Sequence, residues 1–387
     1  MAKWQCPLEV MGIAYLLLNE RKKMNPVVIN DINAIETTLT QEQKDRLRGS
    51  TILMTGCAGF LGYYFLSFFA HKAQELGIKR IIGLDNFMLR VPDWVKKLES
   101  AYPNILKIIK FNIVTDHIVD IREALDANFI IHAASIASPT FYRLHPLETI
   151  DANIWGLRSL LDFYKDKKIK GFLFFSSSEV YGDPDPRFIP TDEEYRGNVS
   201  CIGPRACYDE SKRFGETLCL TYASKFNVPI TIARPFNNYG PGMSVGDKRV
   251  PADFAKAVIE NKDIEILSDG SPTRTFCYIS DAISGYIKCL TYGKFDYFNI
   301  GTDKPEISIK DLAGIYTKHS QAVFGFAPKI LFQTSNDKDY LTDNPNRRCP
   351  VITKAKELLQ YNPNVSIEDG VKRFLEFLHY EKTQGVL

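Results

Sequence analysis

The residue pair best suited to chemistry is a tyrosine followed four positions later by a lysine, Tyr208 and Lys212. That spacing places both side chains on one face of a helix. A nearby ammonium group is expected to stabilise the phenolate and so to lower the tyrosine pKa, as a base that deprotonates a hydroxyl requires. Upstream, three consecutive serines (176–178) follow a predicted strand, where one of them could donate to the reacting oxygen. The competing interpretation is an exposed helix face without catalytic function.

A second candidate site is a glycine-rich turn at the end of the first predicted strand, with glycines at 56, 59 and 62. Glycine permits the tight turn and lets a pyrophosphate approach the backbone, while the following helix directs its N-terminus at the phosphates. The next predicted strand ends at Asp85, where a carboxylate can accept from ribose hydroxyls and would repel the extra phosphate of NADP. We therefore predict NAD as the cofactor. The alternative is a strand-to-helix turn with incidental glycines.

Short apolar runs alternate with longer helical stretches after residue 48, and this alternation predicts the fold. The predicted strands are residues 51–55, 80–84, 105–111, 129–133, 171–175 and 229–233. Helical segments such as 146–165 lie between most of them. The pattern predicts an α/β fold with a Rossmann-type doubly wound parallel sheet, covered by helices on both faces. After Arg234, prolines and glycines break the regularity, and a smaller α+β domain is expected.

Composition and charge limit the possible partners. The chain has 387 residues, of which 48 are basic and 46 acidic, so its net charge of +2 gives no electrostatic reason to expect a nucleic acid or a membrane. The apolar run 11–18 is too short to span a bilayer, and a basic cluster follows it instead of preceding it. Eight cysteines without a Cys-x-x-Cys pair and six histidines without ligand spacing predict reduced thiols, no metal and a cytoplasmic protein.

Several motifs, taken with the Tyr208/Lys212 pair, resemble those of the extended short-chain dehydrogenase/reductase superfamily, specifically its NAD-dependent nucleotide-sugar branch. The motifs are TGCAGFLG (55–62), HAAS (132–135), SSEVYG (177–182), RPFNNYGP (234–241) and RTFCYISD (274–281). The resemblance covers about residues 50 to 375. It implies a nucleotide-sugar substrate, NAD as cofactor and a homodimer.

The resemblance also assigns the site residues. NAD binding is assigned to Gly56, Gly59, Phe60, Leu61, Gly62, Asp85, Asn86, Ala133, Tyr208 and Lys212. Catalysis is assigned to Tyr208, Lys212, Ser177, Ser178, Glu179 and Arg274. Substrate binding is assigned to Ser138, Glu179, Arg205, Asn237 and Arg274. Arg274 has two roles because epimerases of this branch use the arginine of its motif to grip the nucleotide diphosphate, which a guanidinium contacts bidentately.

We expect the chain to have three parts. Residues 1–48 form an N-terminal extension, partly helical, in which Thr40 and Gln43 can cap a helix. Residues 49–235, with about 276–300, form the NAD-binding domain. Residues 236–275 and 301–387 form a nucleotide-sugar-binding domain, with a C-terminal helix over 367–380.

Three reactions of this branch begin with oxidation of the sugar at C4: epimerisation, 4,6-dehydration and decarboxylation of a uronic acid. The dehydratases carry an Asp-Glu pair before Val-Tyr-Gly, whereas this chain has Ser178 and Glu179 there, which resembles the UDP-glucuronate decarboxylase pattern. A 4-keto sugar with a C5 carboxylate is a β-keto acid, which loses carbon dioxide and then needs a proton. A buried Glu179 with a raised pKa could return that proton to C5. The alternative is a structural hydrogen bond at a strand end.

Two further hypotheses stay open beside decarboxylation, which is the leading one. An epimerase or dehydratase with an altered loop is the first, because substrate-facing positions depart from the decarboxylase pattern, among them Gly242 in place of an arginine. The second is a non-catalytic protein that senses NAD or a sugar nucleotide. Such a protein would be expected to lose Tyr208 or Lys212, and both are present. We therefore expect an enzyme.

Overall fold

The computed structural model describes residues 24–335, 342 and 345–386. Its strands are β1 (Thr51–Thr55), β2 (Arg80–Asp85), β3 (Leu106–Lys110), β4 (Phe129–His132), β5 (Gly171–Phe175), β6 (Ile230–Pro235), β7 (Asn238–Tyr239), β8 (Ile264–Ile266), β9 (Thr273–Arg274), β10 (Cys277–Tyr278), β11 (Asp296–Ile300), β12 (Ile307–Ser308), β13 (Ile330–Phe332) and β14 (Arg347–Arg348). Its α-helices are α1 (Pro26–Thr38), α2 (Gln41–Leu47), α3 (Phe60–His71), α4 (Ala73–Leu76), α5 (Asp93–Ala101), α6 (Pro139–Leu144), α7 (Pro146–Asp151), α8 (Leu157–Tyr164), α9 (Ala206–Phe226), α10 (Val250–Ile259), α11 (Ile279–Leu290), α12 (Ile309–Phe324), α13 (Thr353–Leu359) and α14 (Ile367–Thr383).

The central feature of the fold is a seven-stranded parallel sheet with the strand order β11-β6-β5-β4-β1-β2-β3. Every residue of β1 and β5 is buried, as expected for parallel strands that are covered on both faces. The predicted α/β fold with a Rossmann-type sheet is therefore confirmed. Six of the seven strands were predicted, each with ends within two residues of the observed ones. The edge strand β11 was not predicted.

The stretch 146–165 is not the single helix that its sequence predicts. A π-helical turn, Ala152–Gly156, separates α7 from α8. Within this turn Asn153 is fully buried, and its Nδ2 donates to Ser211 Oγ on α9 at 2.8 Å. The π-helical turn thus contains a residue that forms a hydrogen bond with a helix far away in the sequence.

Two helices of the N-terminal extension precede the sheet. Thr40 caps α2 as predicted: its Oγ1 accepts from the Gln43 N–H at 3.3 Å, and Gln43 Oε1 accepts from the Thr40 N–H at 3.0 Å. The predicted C-terminal helix is also present as α14. Residues 1–23, including the apolar run 11–18, lie outside the described part of the chain.

Asp31 ties α1 to the body of the fold. Its Oδ2 accepts from the hydroxyls of Tyr64 on α3 and Tyr278 on β10, each at 2.7 Å. Its Oδ1 lies 3.2 Å from Nη1 of Arg373 on α14. Asp31 is 1% exposed, so these groups depend on each other for their polar contacts. The described part of the extension is therefore an integral part of the core.

Replacing Asp31 by Ala is expected to lower the free energy of unfolding by about 3 kcal/mol, because two buried tyrosine hydroxyls lose their acceptor. Urea denaturation followed by fluorescence measures this change. Asp45→Ala is the matched control, since Asp45 lies on α2 with 57% of its side chain exposed. Equal stability of the two variants would show that the Asp31 contacts contribute nothing.

The chain after β6 adds three small sheets, in the orders β12-β9-β14, β10-β7 and β13-β8. The parallel pairing of β14 with β9 sets Arg348 directly beside Arg274. Assignment of this region to a separate substrate domain stays a prediction. Over the described ranges, no helix combines the length and the apolar character needed to cross a membrane.

Candidate active site

A cavity of about 1350 Å³ lies at the carboxyl ends of the parallel strands. The last residues of five strands line it: Thr55, Asp85, Lys110, Phe175 and Pro235. Open α/β sheets bind their ligands at this edge. Of the site residues predicted from the sequence, all but Gly62 line this cavity.

The glycine-rich turn has a separate reason for each glycine. Gly56 has a φ of +71°, and a Cβ there would lie 2.6 Å from the carbonyl carbon of Ala133. At Gly62 a Cβ would lie 2.0 Å from the Cys57 carbonyl oxygen, so this glycine lets α3 pack against the turn, and its role in NAD binding stays a prediction. Gly59 differs, because a Cβ there would meet only the Gly56 carbonyl oxygen, at 3.4 Å. The backbone at Gly59 is thus open to an approaching ligand.

The Asp85 carboxylate forms hydrogen bonds with the backbone of the same turn and of the residues that follow β2. Its Oδ2 accepts from the Ala58 N–H at 2.9 Å, and its Oδ1 accepts from the Phe87 N–H at 2.8 Å. Burial raises the pKa of Asp85, and these two hydrogen bonds oppose the rise. The neighbouring Asn86 accepts from the Met88 N–H at 3.0 Å. Asp85 therefore orders the turn as well as lining the cavity.

Asp85→Asn is expected to weaken NAD binding by about tenfold or more, because an amide has one acceptor oxygen where the carboxylate has two, and a charged hydrogen bond contributes about 1.5–3 kcal/mol. Titration with NADH, followed by its fluorescence, gives the dissociation constant. Asp93→Asn is the control, since Asp93 is exposed on α5 and does not line the cavity. Unchanged affinity in Asp85→Asn would refute a role for this carboxylate in the cofactor site.

Tyr208 and Lys212 lie together in the first turns of α9, and both are buried. The Tyr208 ring stacks on Tyr142 of α6, with ring centroids 5.0 Å apart and an interplanar angle of 11°. Lys212 Nζ donates to the Phe175 carbonyl oxygen at 2.8 Å and lies 5.6 Å from the centroid of the Tyr208 ring. Ser177 follows β5 and contacts the Tyr208 hydroxyl. The structure thus brings the predicted base, its lysine and its serine to one point.

The pKa values of this pair differ from the expectation. Burial raises the pKa of Tyr208 to about 12, and the contact with Ser177 and the charge of Arg249 oppose only part of that rise. Burial also lowers the pKa of Lys212 to about 7. The net pKa of Tyr208 is therefore raised, contrary to the expected lowering, because burial is its largest cause.

Glu179 lines the same cavity and lies between two arginines. Arg205 Nη2 contacts its Oε2, while Arg348 contacts its Oε1 through Nη1 and donates to its Oε2 through Nη2 at 2.7 Å. Burial acts to raise the pKa of Glu179, but Arg205 and Arg348 together outweigh burial and lower it to about 2. The predicted raised pKa is therefore wrong. In this structure Glu179 is an ionised carboxylate.

The side chains of three other predicted substrate-binding residues donate hydrogen bonds to backbone carbonyl oxygens. Arg274 Nη1 donates to two carbonyl oxygens at 2.7 and 3.0 Å, Asn237 Nδ2 to one at 2.8 Å, and Ser138 Oγ to one at 2.6 Å. The accepting carbonyls belong to Thr273 and Asn346, to Thr275, and to Asp247, respectively. Burial and the neighbouring Arg348 lower the pKa of Arg274 to about 9. The fold thus fixes these side chains at the cavity wall.

Comparison with known proteins decides the family. The family model described as the NAD dependent epimerase/dehydratase family matches residues 52–301. The chain belongs to this family. It is 31% identical over 378 residues to UDP-glucuronic acid decarboxylase 1 of Xenopus tropicalis, covering 93% of this chain and 81% of that protein. It is 32% identical over 349 residues to UDP-glucuronic acid decarboxylase 6 of Arabidopsis thaliana, covering 88% of this chain and 94% of that protein.

Solved structures of family members share the fold. UDP-glucuronic acid 4-epimerase from Bacillus cereus, in complex with UDP-glucuronic acid and NAD, is 26% identical with a TM-score of 0.70, covering 85% of this chain and 99% of that one. UDP-glucose 4-epimerase from Thermotoga maritima, with UDP-glucose, is 25% identical with a TM-score of 0.73, covering 86% of this chain and 99% of that one. This chain is therefore an NAD-dependent enzyme that modifies nucleotide sugars.

The residues present fit the cofactor of this family. Gly59 leaves the backbone open where a pyrophosphate needs to approach, and α3 begins immediately afterwards at Phe60. Asp85 ends the adjacent strand with its carboxylate at the cavity. Phe60, Leu61, Asn86 and Ala133 also line the cavity. These residues would hold NAD across the edge of the sheet.

Several residues of the cavity have a role in the structure that the sequence did not predict. Tyr142 forms the stacking surface under Tyr208, and Arg348 is a direct partner of Glu179. Arg249 lines the cavity in an ion pair with Asp247. The sequence signal for Arg348 was its place in the run 347–350, which lies within the part of the chain that the family resemblance covers.

Proposed function

We propose that this enzyme is a nucleotide-sugar decarboxylase, which oxidises C4 of a nucleotide-linked uronic acid, releases carbon dioxide and reduces the keto sugar again. The observation that carries the proposal is a set of three buried arginines whose charges act on Glu179, in the same cavity as Tyr208 and Lys212. Arg205 and Arg348 form ion pairs with Glu179, and Arg274 interacts with it through its charge. Relatives named UDP-glucuronic acid decarboxylase, each matched over most of this chain, support UDP-glucuronate as the substrate. UDP-xylose would then be the product.

Tyr208 is the group placed to take the proton from the C4 hydroxyl. NAD, when bound, supplies the redox chemistry by accepting a hydride from C4 and returning it. Ser177 contacts the Tyr208 hydroxyl and can donate to the same sugar oxygen. Lys212 is held by the Phe175 carbonyl, which fixes its ammonium group near the tyrosine. Such a positioned base contributes about 10²–10⁴-fold to the rate.

The arginines suit the second half of the reaction. Oxidation at C4 makes the sugar a β-keto acid, and its carboxylate leaves as carbon dioxide while the electron pair of the broken bond stays on the sugar. Guanidinium groups bind carboxylate and phosphate oxygens bidentately. Arg205 and Arg348 can therefore orient the anionic parts of the substrate, while Ser178 lines the cavity beside Glu179.

A 4-epimerase is the second candidate, because the structural relative from Bacillus cereus is a 4-epimerase crystallised with UDP-glucuronic acid. The mass of the product separates the reactions. Incubation with UDP-glucuronate and NAD is expected to convert substrate into a product that is lighter by one carbon dioxide. An unchanged mass would indicate epimerisation, and loss of a water mass would indicate dehydration. No conversion of several nucleotide uronates would refute the proposal.

We also propose that the enzyme is a homodimer, paired through an apolar face on α6 to α9. Apolar side chains that are between 48% and 69% exposed lie on these helices and on the turn between α7 and α8: Leu144, Leu147, Trp155, Phe214 and Leu220. Light scattering is expected to give the mass of two chains for the native protein and of one chain for the double variant Leu147→Glu/Trp155→Glu. Leu358→Glu on α13, which is 50% exposed, should remain dimeric. A native mass of one chain would contradict the proposal.

A further inference from the structure

The proposed reaction needs one proton that its substrate does not bring. When the carboxylate leaves as carbon dioxide, the electron pair stays on the sugar and C5 must gain one proton, so each turnover consumes one proton. The family resemblance assigns Glu179 to the decarboxylation, and a buried carboxyl at this position could deliver the proton. In this structure Glu179 is ionised, with a pKa of about 2. A carboxylate in that state can accept a proton but has none to give, so its surroundings must change before the step.

The charges around Glu179 are unbalanced. The titratable groups that interact with it are Arg205, Arg274, Arg348, Tyr142, Tyr208 and Asp209. Burial, together with the charge of Glu179, raises the pKa of Asp209, which favours the protonated form of its carboxyl. Three cations thus face one carboxylate at the cavity wall. Such a site attracts an anionic ligand.

Arg205 has other acceptors within reach. Its Nη2 contacts Glu179, whereas its Nε lies 3.6 Å from Asp209 Oδ2, which is too long for a hydrogen bond. Among the described residues, neither this Nε nor the buried Asp209 Oδ1 has a hydrogen-bond partner. A small rotation of the Arg205 guanidinium toward Asp209 or toward a ligand would give its Nε a hydrogen-bond acceptor. The contact with Glu179 can therefore be exchanged without leaving Arg205 unpaired.

We propose that the anionic substrate displaces Glu179 from Arg205 and Arg348, and that the released carboxyl takes up one proton from solvent, which it later returns to C5. This inference rests on the proposed function, since it takes the substrate to be a nucleotide-linked uronic acid. The diphosphate and carboxylate of such a substrate are bidentate acceptors that compete with Glu179 for both guanidinium groups. Without these partners burial dominates, and burial raises the pKa of a carboxyl. Substrate binding thus protonates Glu179 with the proton that the reaction later transfers to C5.

Calorimetric titration in buffers of different ionisation enthalpy counts the protons taken up on binding. We would use the Tyr208→Phe variant with NAD, so that UDP-glucuronate binds without turnover. Near neutral pH, uptake of roughly one proton per ligand is expected. Addition of Glu179→Gln to this variant should abolish the uptake. Addition of Asp209→Asn should leave it in place, because Glu179, and not Asp209, is the carboxyl that pairs with both Arg205 and Arg348.

Each outcome decides the inference. Absence of uptake, equal uptake with Glu179→Gln, or loss of uptake only with Asp209→Asn would overturn it. Should the Glu179→Gln protein fail to fold, difference infrared spectra of Tyr208→Phe alone must show the carbonyl stretch of a protonated carboxyl when UDP-glucuronate is added. Carbon dioxide release by the native enzyme without proton uptake on binding would remove this inference alone. Proton uptake without carbon dioxide release would refute the proposed function, and with it the return of the proton to C5, but would leave the displacement of Glu179 by the ligand standing.

Discussion

Tyr208→Phe is expected to lower the turnover of UDP-glucuronate by about 10²–10⁴-fold, because the hydroxyl is the only part of the base that the substitution removes. Substrate affinity should change little, since the Phe ring can keep the stacking on Tyr142. Steady-state rates of product formation, with the dissociation constant from calorimetry, separate the two effects.

Tyr222→Phe is the matched control for this variant. Tyr222 lies on the same helix, and its hydroxyl donates to Asp162 Oδ1 at 2.6 Å, away from the cavity. Its turnover should stay close to that of the native enzyme. If Tyr208→Phe retained native turnover, another group would have to be the base, and the assignment of Tyr208 would fail.

Glu179→Gln is expected to lower carbon dioxide release by about 10²–10⁴-fold, since an amide of the same size cannot transfer a proton to C5. The first oxidation does not need this carboxyl, so reduction of NAD on addition of substrate should persist and can be followed by absorbance. The two readouts together distinguish a proton-transfer role from general damage to the site.

Glu210→Gln provides the comparison for that variant. Glu210 is on α9, 39% of its side chain is exposed, and it does not line the cavity. Thermal unfolding of both variants checks whether loss of the ion pairs with Arg205 and Arg348 has disturbed the fold. A Glu179→Gln enzyme that released carbon dioxide at the native rate would show that Glu179 is a structural residue.

Sequence patterns predicted those parts of the enzyme that depend on neighbouring residues. The apolar runs of β1 to β6 and the Thr40 cap of α2 are local features, and the structure confirms them. The edge strand β11 was missed, since its run, DYFNI, is short and mixed in polarity. Likewise, the π-helical turn at Ala152–Gly156 lies where Asn153 contacts a distant helix, which no periodicity reveals.

The electrostatics of the site were the least predictable part. The sequence pattern identified Glu179 as a candidate acid, but its pKa depends on Arg205, 26 residues away, and on Arg348, 169 residues away. The spatial position of Arg348 follows from the pairing of two-residue strands, β14 with β9, which carry almost no sequence signal. At Tyr208 burial is the largest cause of the pKa shift, and it raises the pKa that was expected to be lowered. Distant partners and burial are properties of the folded chain.

The most direct test of the proposed function follows the substrate's carboxyl carbon. UDP-glucuronate labelled with ¹³C at C6 would be incubated with the enzyme and NAD, with Tyr208→Phe as the inactive control. The proposal predicts that the label appears in carbon dioxide and that the nucleotide sugar produced contains none. A converted sugar that still carries the label would contradict decarboxylation and would favour epimerisation.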